Sequence, residues 1–338
     1  MIMNRLNQNS AAVDRQSRIL VVRGGAIGDF ILTLPALGLL REAFPSAWIE
    51  LLGYPHIASL ADGRYYVNKV RSIEYGPLAG FFAKNAGLNP ELAEYFRSFQ
   101  QVVSFLFDPD GIFEANVRTC GVRNFLSAFR QPSKAHAARE WAKPLESLAL
   151  YLENHEAKIF LRDTDLNSAR DWLADGSMRG VARVEPLRRI ALHPGSGSLK
   201  KNWPAERWRT LGVRFFEAFP NAELILVGGE ADGDVLRILE TAWPRGRFRV
   251  ARDLPLTLLA AILSECDCFC GHDSGVSHIA SAVGVRSLLL FGPTDPNVWA
   301  PANKATSVLV APDGSLDRLR IEDVQNALWT ALNEVWRS

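Results

Sequence analysis

The chain has 338 residues, with 38 Lys and Arg against 37 Asp and Glu and a formal net charge of +1, a balance that argues against a general nucleic-acid binder. Hydrophobic residues make up 48%, including nine Trp and eighteen Phe, enough to fill two cores. The four cysteines, Cys120, Cys266, Cys268 and Cys270, are too few for a disulfide scaffold and fit a reducing compartment.

Residues 1–17 are polar, lack the apolar stretch of a signal peptide and are expected to form a disordered tail. No apolar run is long enough to cross a membrane. The expected location is therefore cytoplasmic, with contact at the surface of the inner membrane left open.

Arg18 to Arg23 is an apolar run that reads as a buried strand. It ends in Gly24-Gly25-Ala26-Ile27-Gly28-Asp29, after which Phe30 to Phe44 has helical spacing. Strands are expected at 47–55, in VRSIEY and in QVVSFLF, with a helix from Pro90 to Phe99. The stretch from Ser133 begins helical and ends in a short strand, KIFLR. A helix follows at Asp165 to Leu173. The alternation of strand and helix predicts a parallel sheet covered on both faces.

Residues 176–188, rich in Gly, Arg and Pro, read as a linker. A second alternating series begins at Arg189: strands at IALHPG, AELILVGG, RFRVARDL, CFCGHDSG and RSLLLFGP, with helices between them. Cys266, Cys268 and Cys270 alternate, so an extended run turns all three sulfurs one way. That suits small buried hydrophobes better than a metal chelate. The last helix, residues 321–338, is expected to pack across both halves. The whole predicts two doubly wound α/β domains, 18–175 and 189–320.

Open parallel sheets bind ligands at the carboxyl ends of their strands, and four loops there carry polar or glycine-rich sequence. GGAIGD lacks the G-x-G-x-x-G of a dinucleotide fold, and Glu50 sits mid-strand, the wrong place for a ribose ligand. Asp29 reads either as a helix-capping carboxylate or as a general base in a glycine-opened cleft. The stretch 193–204, with Ser196, Gly197, Ser198 and Lys201 ahead of a helix, suits phosphate; the alternative is an ordinary surface turn. Glu230, after Gly228-Gly229, can accept hydrogen bonds from a ribose diol or be a solvated loop acid. Asp273, Ser274 and Gly275 open a helix whose N–H groups favour an anion, with His278 one turn inside as ligand or packing histidine. Between 118 and 143 there are six cations, Arg118, Arg123, Arg130, Lys134, Arg139 and Lys143, against one acid, Glu140. They read as a grip for an anionic acceptor or as a solvated helix face.

These motifs, in this order, resemble glycosyltransferase family 9, the bacterial lipopolysaccharide heptosyltransferases. The matching residues are Gly28-Asp29, Thr33-Leu34-Pro35-Ala36, Lys201-Asn202-Trp203-Pro204, Gly228-Gly229-Glu230, Asp273-Ser274-Gly275-Val276-Ser277-His278, and Gly292 to Pro296. The resemblance implies a GT-B fold, two Rossmann-like domains facing a cleft. It implies inverting, metal-independent transfer from a nucleotide sugar, typically ADP-heptose, to a lipid-linked or oligosaccharide acceptor, without a resident cofactor. On that likeness Asp29 is the base, Lys201 contacts the diphosphate, Glu230 the ribose, and Asp273 with Ser274, Gly275 and His278 the donor sugar and phosphate. Gly28 and the cations at 118, 123, 130 and 134 are the expected acceptor side. Leu32 stands where some members carry a His. The other functions considered are a GT-B nucleotide-sugar epimerase and a non-catalytic nucleotide-sugar-binding subunit.

Overall fold

The computed structural model describes residues 16–175 and 188–336. The expected tail (1–17) and linker (176–188) therefore fall almost wholly outside the described residues. The first half alternates β1 (Arg18–Arg23), α1 (Ile27–Ala43), β2 (Trp48–Gly53), α2 (Pro55–Ala58), β3 (Lys69–Ser72), α3 (Pro90–Arg97), β4 (Gln101–Ser104), α4 (Ile112–Thr119), β5 (Asn124–Ser127), α5 (Ala137–Ala142) and α6 (Asp163–Ala174). Its five strands are all parallel, in the order β3-β2-β1-β4-β5.

The second half runs β6 (Arg189–His193), α7 (Ala205–Ala218), β7 (Glu223–Gly228), α8 (Gly233–Ala242), β8 (Phe248–Arg252), α9 (Leu256–Ser264), β9 (Cys268–His272), α10 (Gly275–Ala282), β10 (Arg286–Phe291), α11 (Pro296–Trp299), β11 (Thr306–Val310) and α12 (Ile321–Trp336). Its six parallel strands are ordered β11-β10-β9-β6-β7-β8. In each sheet the strand order reverses beside its first strand, between β1 and β4 and between β6 and β9. Those reversals open a crevice at the carboxyl edge, and the glycine-rich loops expected to carry the site sit there.

Central strands are apolar on both faces because helices cover both. Leu20, Val21 and Val22 in β1 and Leu224, Ile225 and Leu226 in β7 are fully buried. Glu50 is buried among Arg18, Arg71, Trp48 and Tyr95, whose hydroxyl donates to it at 2.9 Å. It is thus bound within the sheet, away from any strand end.

Three details differ from expectation. KIFLR makes no strand; Ile159 N–H instead donates to the Ala282 carbonyl at 2.9 Å, joining the halves. Cys266 precedes β9 and packs in a different core from Cys268 and Cys270, so the three sulfurs do not share a face. All three are buried, and burial pushes the Cys268 thiol up to about 12. The last helix, α12, buries Val324, Leu328 and Leu332 in the core of the second half, against α7, β9 and β10. A helix that does reach from one half to the other is α6, which packs on α9. Its Trp172 and Asp175 carbonyls accept from Arg249 at 3.1 and 2.6 Å.

The halves meet where α1 crosses α10. Glycines allow the approach: a Cβ on Gly275 would lie 2.6 Å from Ile27 Cβ, and one on Gly28 would lie 3.0 Å from the His278 ring. Gly275→Ala is expected to cost about 1–3 kcal/mol through overpacking at this crossing. Thermal unfolding checks it, and an unchanged Tm would show the crossing to be slack. Further ties are His136 Nε2 with the Ala300 carbonyl and Asn303 Nδ2 donating to the Ala157 carbonyl, both at 2.8 Å. No helix among the described residues is long and apolar enough to cross a membrane.

Candidate active site

Two cavities lie at the two sheet reversals, one on each side of the α1–α10 crossing. The first, about 440 Å³, belongs to the N-terminal half and is lined by Arg23, Gly25, Asp29, Tyr54, Glu74 and a group of phenylalanines. The second, about 880 Å³, lies at the ends of β6 to β9 and is roofed from the N-terminal half by Ile27, Pro55, His56 and Ser59.

Asp29 is the third residue of α1. One carboxylate oxygen accepts from the Ala26 N–H at 3.3 Å, so the capping role read from the sequence exists. Capping engages one oxygen and leaves the carboxylate on the cavity wall. Gly25 makes room for it: its φ is +97°, and a Cβ there would sit 3.0 Å from the Asp29 carboxylate. The backbone is fixed independently, since the Asp29 carbonyl accepts from Thr33 Oγ1 at 2.7 Å and from Arg23 Nη2 at 3.1 Å. Arg23 is buried, stacked 4.3 Å from the Trp141 ring centroid, and burial lowers its pKa to about 10 against the opposing pull of Asp29.

On the other side, Lys201 ends a single 3-10 turn (Leu199–Lys201). Its Nζ lies 2.6 Å from the Asp273 carboxylate, whose same oxygen accepts from Thr294 Oγ1 at 2.7 Å. Lys201 thus offsets the charge by which Asp273 would repel an anion. The turn is anchored by Trp203, whose N–H donates to His272 Nε2 and whose indole N–H donates to the Leu319 carbonyl, both at 2.8 Å.

That pairing fixes the His272 tautomer: Nε2 accepts, so Nδ1–H donates to the Gly195 carbonyl at 3.2 Å. Burial keeps His272 neutral down to about pH 3. His278, against Gly28, is held to about 4 by burial, opposed by the charges of Asp273 and Asp29. The approach of Gly28 to the His278 ring brings the loop of Asp29 against α10. Because the unfolded chain protonates these histidines near 6.5 and the folded one resists, stability is full above that pH and is lost as pH falls toward 4 and 3. Two protons give a slope of up to about 2.7 kcal/mol per pH unit. Urea unfolding at pH 7 and pH 5 measures it, and equal stabilities would contradict the buried neutral pair.

The floor of the larger cavity is a hydrogen-bonded line. Asp232 accepts from the Gly229 N–H at 2.8 Å and pairs with His193 Nε2 at 3.3 Å; His193 Nδ1 meets Ser274 Oγ at 3.2 Å. Burial raises the Asp232 pKa, but the His193 and Gly229 hydrogen bonds outweigh it and hold the carboxyl below its ordinary range. Gly195 is required here, since a Cβ would fall 1.7 Å from Asp232. One wall is apolar, with Val227, Ala251, Leu254, Leu256 and Leu259.

Of the expected donor-side residues, Ser196, Gly197, Ser274 and Gly275 line this cavity. Asp273 and His278 lie beside it, before and within the first turn of α10, and Lys201 is joined to Asp273. Glu230 is exposed and off the lining, while Asp232, two residues on, occupies the floor. Gly28 serves the approach of α1 to α10. The basic stretch does not line the smaller cavity. Arg118 pairs with Glu114 at 2.8 Å and donates to the Arg123 and Phe125 carbonyls, while Arg130 pairs with Glu140 at 3.3 Å. Arg123 and Lys134 are exposed outside it. His193, Asp232, Asp253 and His56 were not singled out from sequence. Of these, Asp232 had a signal, sharing Glu230's loop. No group of three or more His, Cys, Asp or Glu among the described residues could hold a metal ion.

Residues 128–328 match the model of glycosyltransferase family 9 (heptosyltransferase). Lipopolysaccharide heptosyltransferase 1 of Escherichia coli is 21% identical over 327 residues, 91% of this chain and 96% of that protein. The crystal structure of a family 9 glycosyl transferase from Veillonella parvula superposes with a TM-score of 0.79 at 20% identity, covering 94% of this chain and 98% of that one. The E. coli heptosyltransferase WaaC with ADP superposes with a TM-score of 0.66 at 18% identity, covering 93% and 99%.

Proposed function

The chain belongs to glycosyltransferase family 9, and on that premise we propose that it transfers heptose from ADP-heptose to a lipopolysaccharide-core sugar with inversion, Asp29 acting as base. The observation that carries this reading is the pairing of two cavities across one narrow crossing, the Asp29 carboxylate on one side and an anion-suited loop on the other. ADP is the nucleotide supported by the likeness to a heptosyltransferase solved with it.

The apolar wall at Val227, Ala251 and Leu254 suits an adenine face, and the Asp232–His193–Ser274 line offers partners to a ribose. The diphosphate then falls toward Lys201 and the N-terminus of α10, where N–H groups and a cation meet its charge. The acceptor hydroxyl lies against Asp29. As its oxygen bonds to the anomeric carbon, the anomeric C–O bond to phosphate breaks and the hydroxyl proton passes to the Asp29 carboxylate. ADP leaves with the bonding electrons. A single displacement needs a single base, and of the two carboxylates on the acceptor cavity Asp29 is the one beside the crossing, next to the Gly28 that abuts His278.

The leaving charge is met by protein groups, so the reaction proceeds without a cofactor. The test is turnover of a nucleotide-sugar panel on lipopolysaccharide cores truncated to end in either a neutral or an acidic sugar, in EDTA. ADP-heptose is expected to be consumed fastest, with chelation making no difference. Failure of every donor, or a requirement for added magnesium, would overturn the reading.

A further inference from the structure

Building on the proposed transfer, we infer that the acceptor sugar seated beside Asp29 is uncharged and is recognised through its C–H face by an aromatic shelf, not through an acidic group. Two independent observations on the smaller cavity point this way.

The first is aromatic exposure. Phe107 is 71% exposed and Phe82 43% exposed, and both line this cavity beside Asp29. Phe107 leans on Phe129, with centroids 5.1 Å apart and planes at 58°. Phe82 stacks one face on Phe113 at 5.0 Å and 15°, leaving its other face uncovered by that ring. Large aromatic faces held open on a cavity rim mark a binding surface rather than a core. A pyranose offers a patch of weakly positive C–H groups, which suits the negative face of such rings.

The second is charge. The lining residues carry two carboxylates, Asp29 and Glu74, and one cation, Arg23. That cation is already committed: its Nη1 donates to the Phe105 carbonyl at 3.2 Å and its Nη2 to the Asp29 carbonyl at 3.1 Å, with the guanidinium stacked on Trp141. Arg118 and Arg130 are held by Glu114 and Glu140 outside the lining. An acidic sugar entering here would meet two like charges and no free lining cation, an arrangement that rejects such a ligand. A neutral sugar meets two acceptors for its hydroxyls. Asp29 takes the proton of the attacking one, and Glu74 accepts from another.

The test is NMR titration of the full chain, first without nucleotide, using methyl heptoside, methyl glucuronide and phosphorylated methyl glucoside. Methyl heptoside is expected to bind about tenfold tighter than either charged glycoside, and Phe107→Ala to weaken it by roughly the same factor. Phe107 is exposed, so the variant leaves the core intact. Glu74→Lys is expected to bring methyl glucuronide to at least the affinity of the neutral sugar. The inference is overturned if a charged glycoside binds wild type as tightly as methyl heptoside, if methyl heptoside does not bind, or if Phe107→Ala changes nothing. Calorimetry of ADP-heptose on the same samples reads the donor side separately, so a failed donor and a failed acceptor rule are told apart.

Discussion

Asp29→Asn is expected to lower kcat by about a hundred- to ten-thousand-fold, the range for loss of a positioned base, while donor affinity is retained. The substitution is chosen for what it keeps. An amide oxygen still accepts from the Ala26 N–H, preserving the start of α1, and the Thr33 and Arg23 bonds go to the Asp29 carbonyl, which does not change. The folded structure therefore survives and the loss falls on proton removal. Asp29→Ala is a poorer probe, because deleting the capping oxygen costs about 1 kcal/mol of stability as well. Wild-type kcat in Asp29→Asn would assign the residue to capping alone.

Lys201→Ala is expected to lower kcat/KM for the donor by about a hundred- to a thousand-fold, as for removal of one preorganised stabilising donor. Two physical effects add. The leaving diphosphate loses its cation, and Asp273, with only 8% of its side chain exposed, loses the partner that offsets its charge. An uncompensated carboxylate then faces the phosphates. Asp273→Asn in the Lys201→Ala background should therefore recover part of the donor affinity, a coupling measured by a double-mutant cycle. Calorimetry showing undiminished nucleotide-sugar binding in Lys201→Ala would refute the assignment.

The parallel architecture and the loops that form the site were legible because glycines and small polar residues stop apolar strands abruptly, as at Gly24 and Gly228. The division of labour within a loop was not. Glu230 and Asp232 follow the same strand, and only the packing of Gly195 against Asp232 and the reach of His193 decide which acid faces the cavity. The cations from Arg118 to Lys143 read as one patch along the chain. In space, Glu114 and the Phe125 carbonyl turn Arg118 to the support of β5. Phe82 and Phe107 are far apart in sequence and carry no motif, so the shelf they form beside Asp29 exists only once β1 and β4 are paired. Helix α6 likewise gives no sign in its sequence that it docks on the other half.

A single displacement driven by one base, as proposed across the α1–α10 crossing, inverts the anomeric centre. Its most direct test is the anomeric configuration of the glycosidic bond formed from ADP-heptose of known configuration, followed by proton NMR from the first turnover. The configuration opposite to the donor's is predicted, with ADP released in equal amount. Retained configuration would require a covalent or front-face route and would overturn the single displacement.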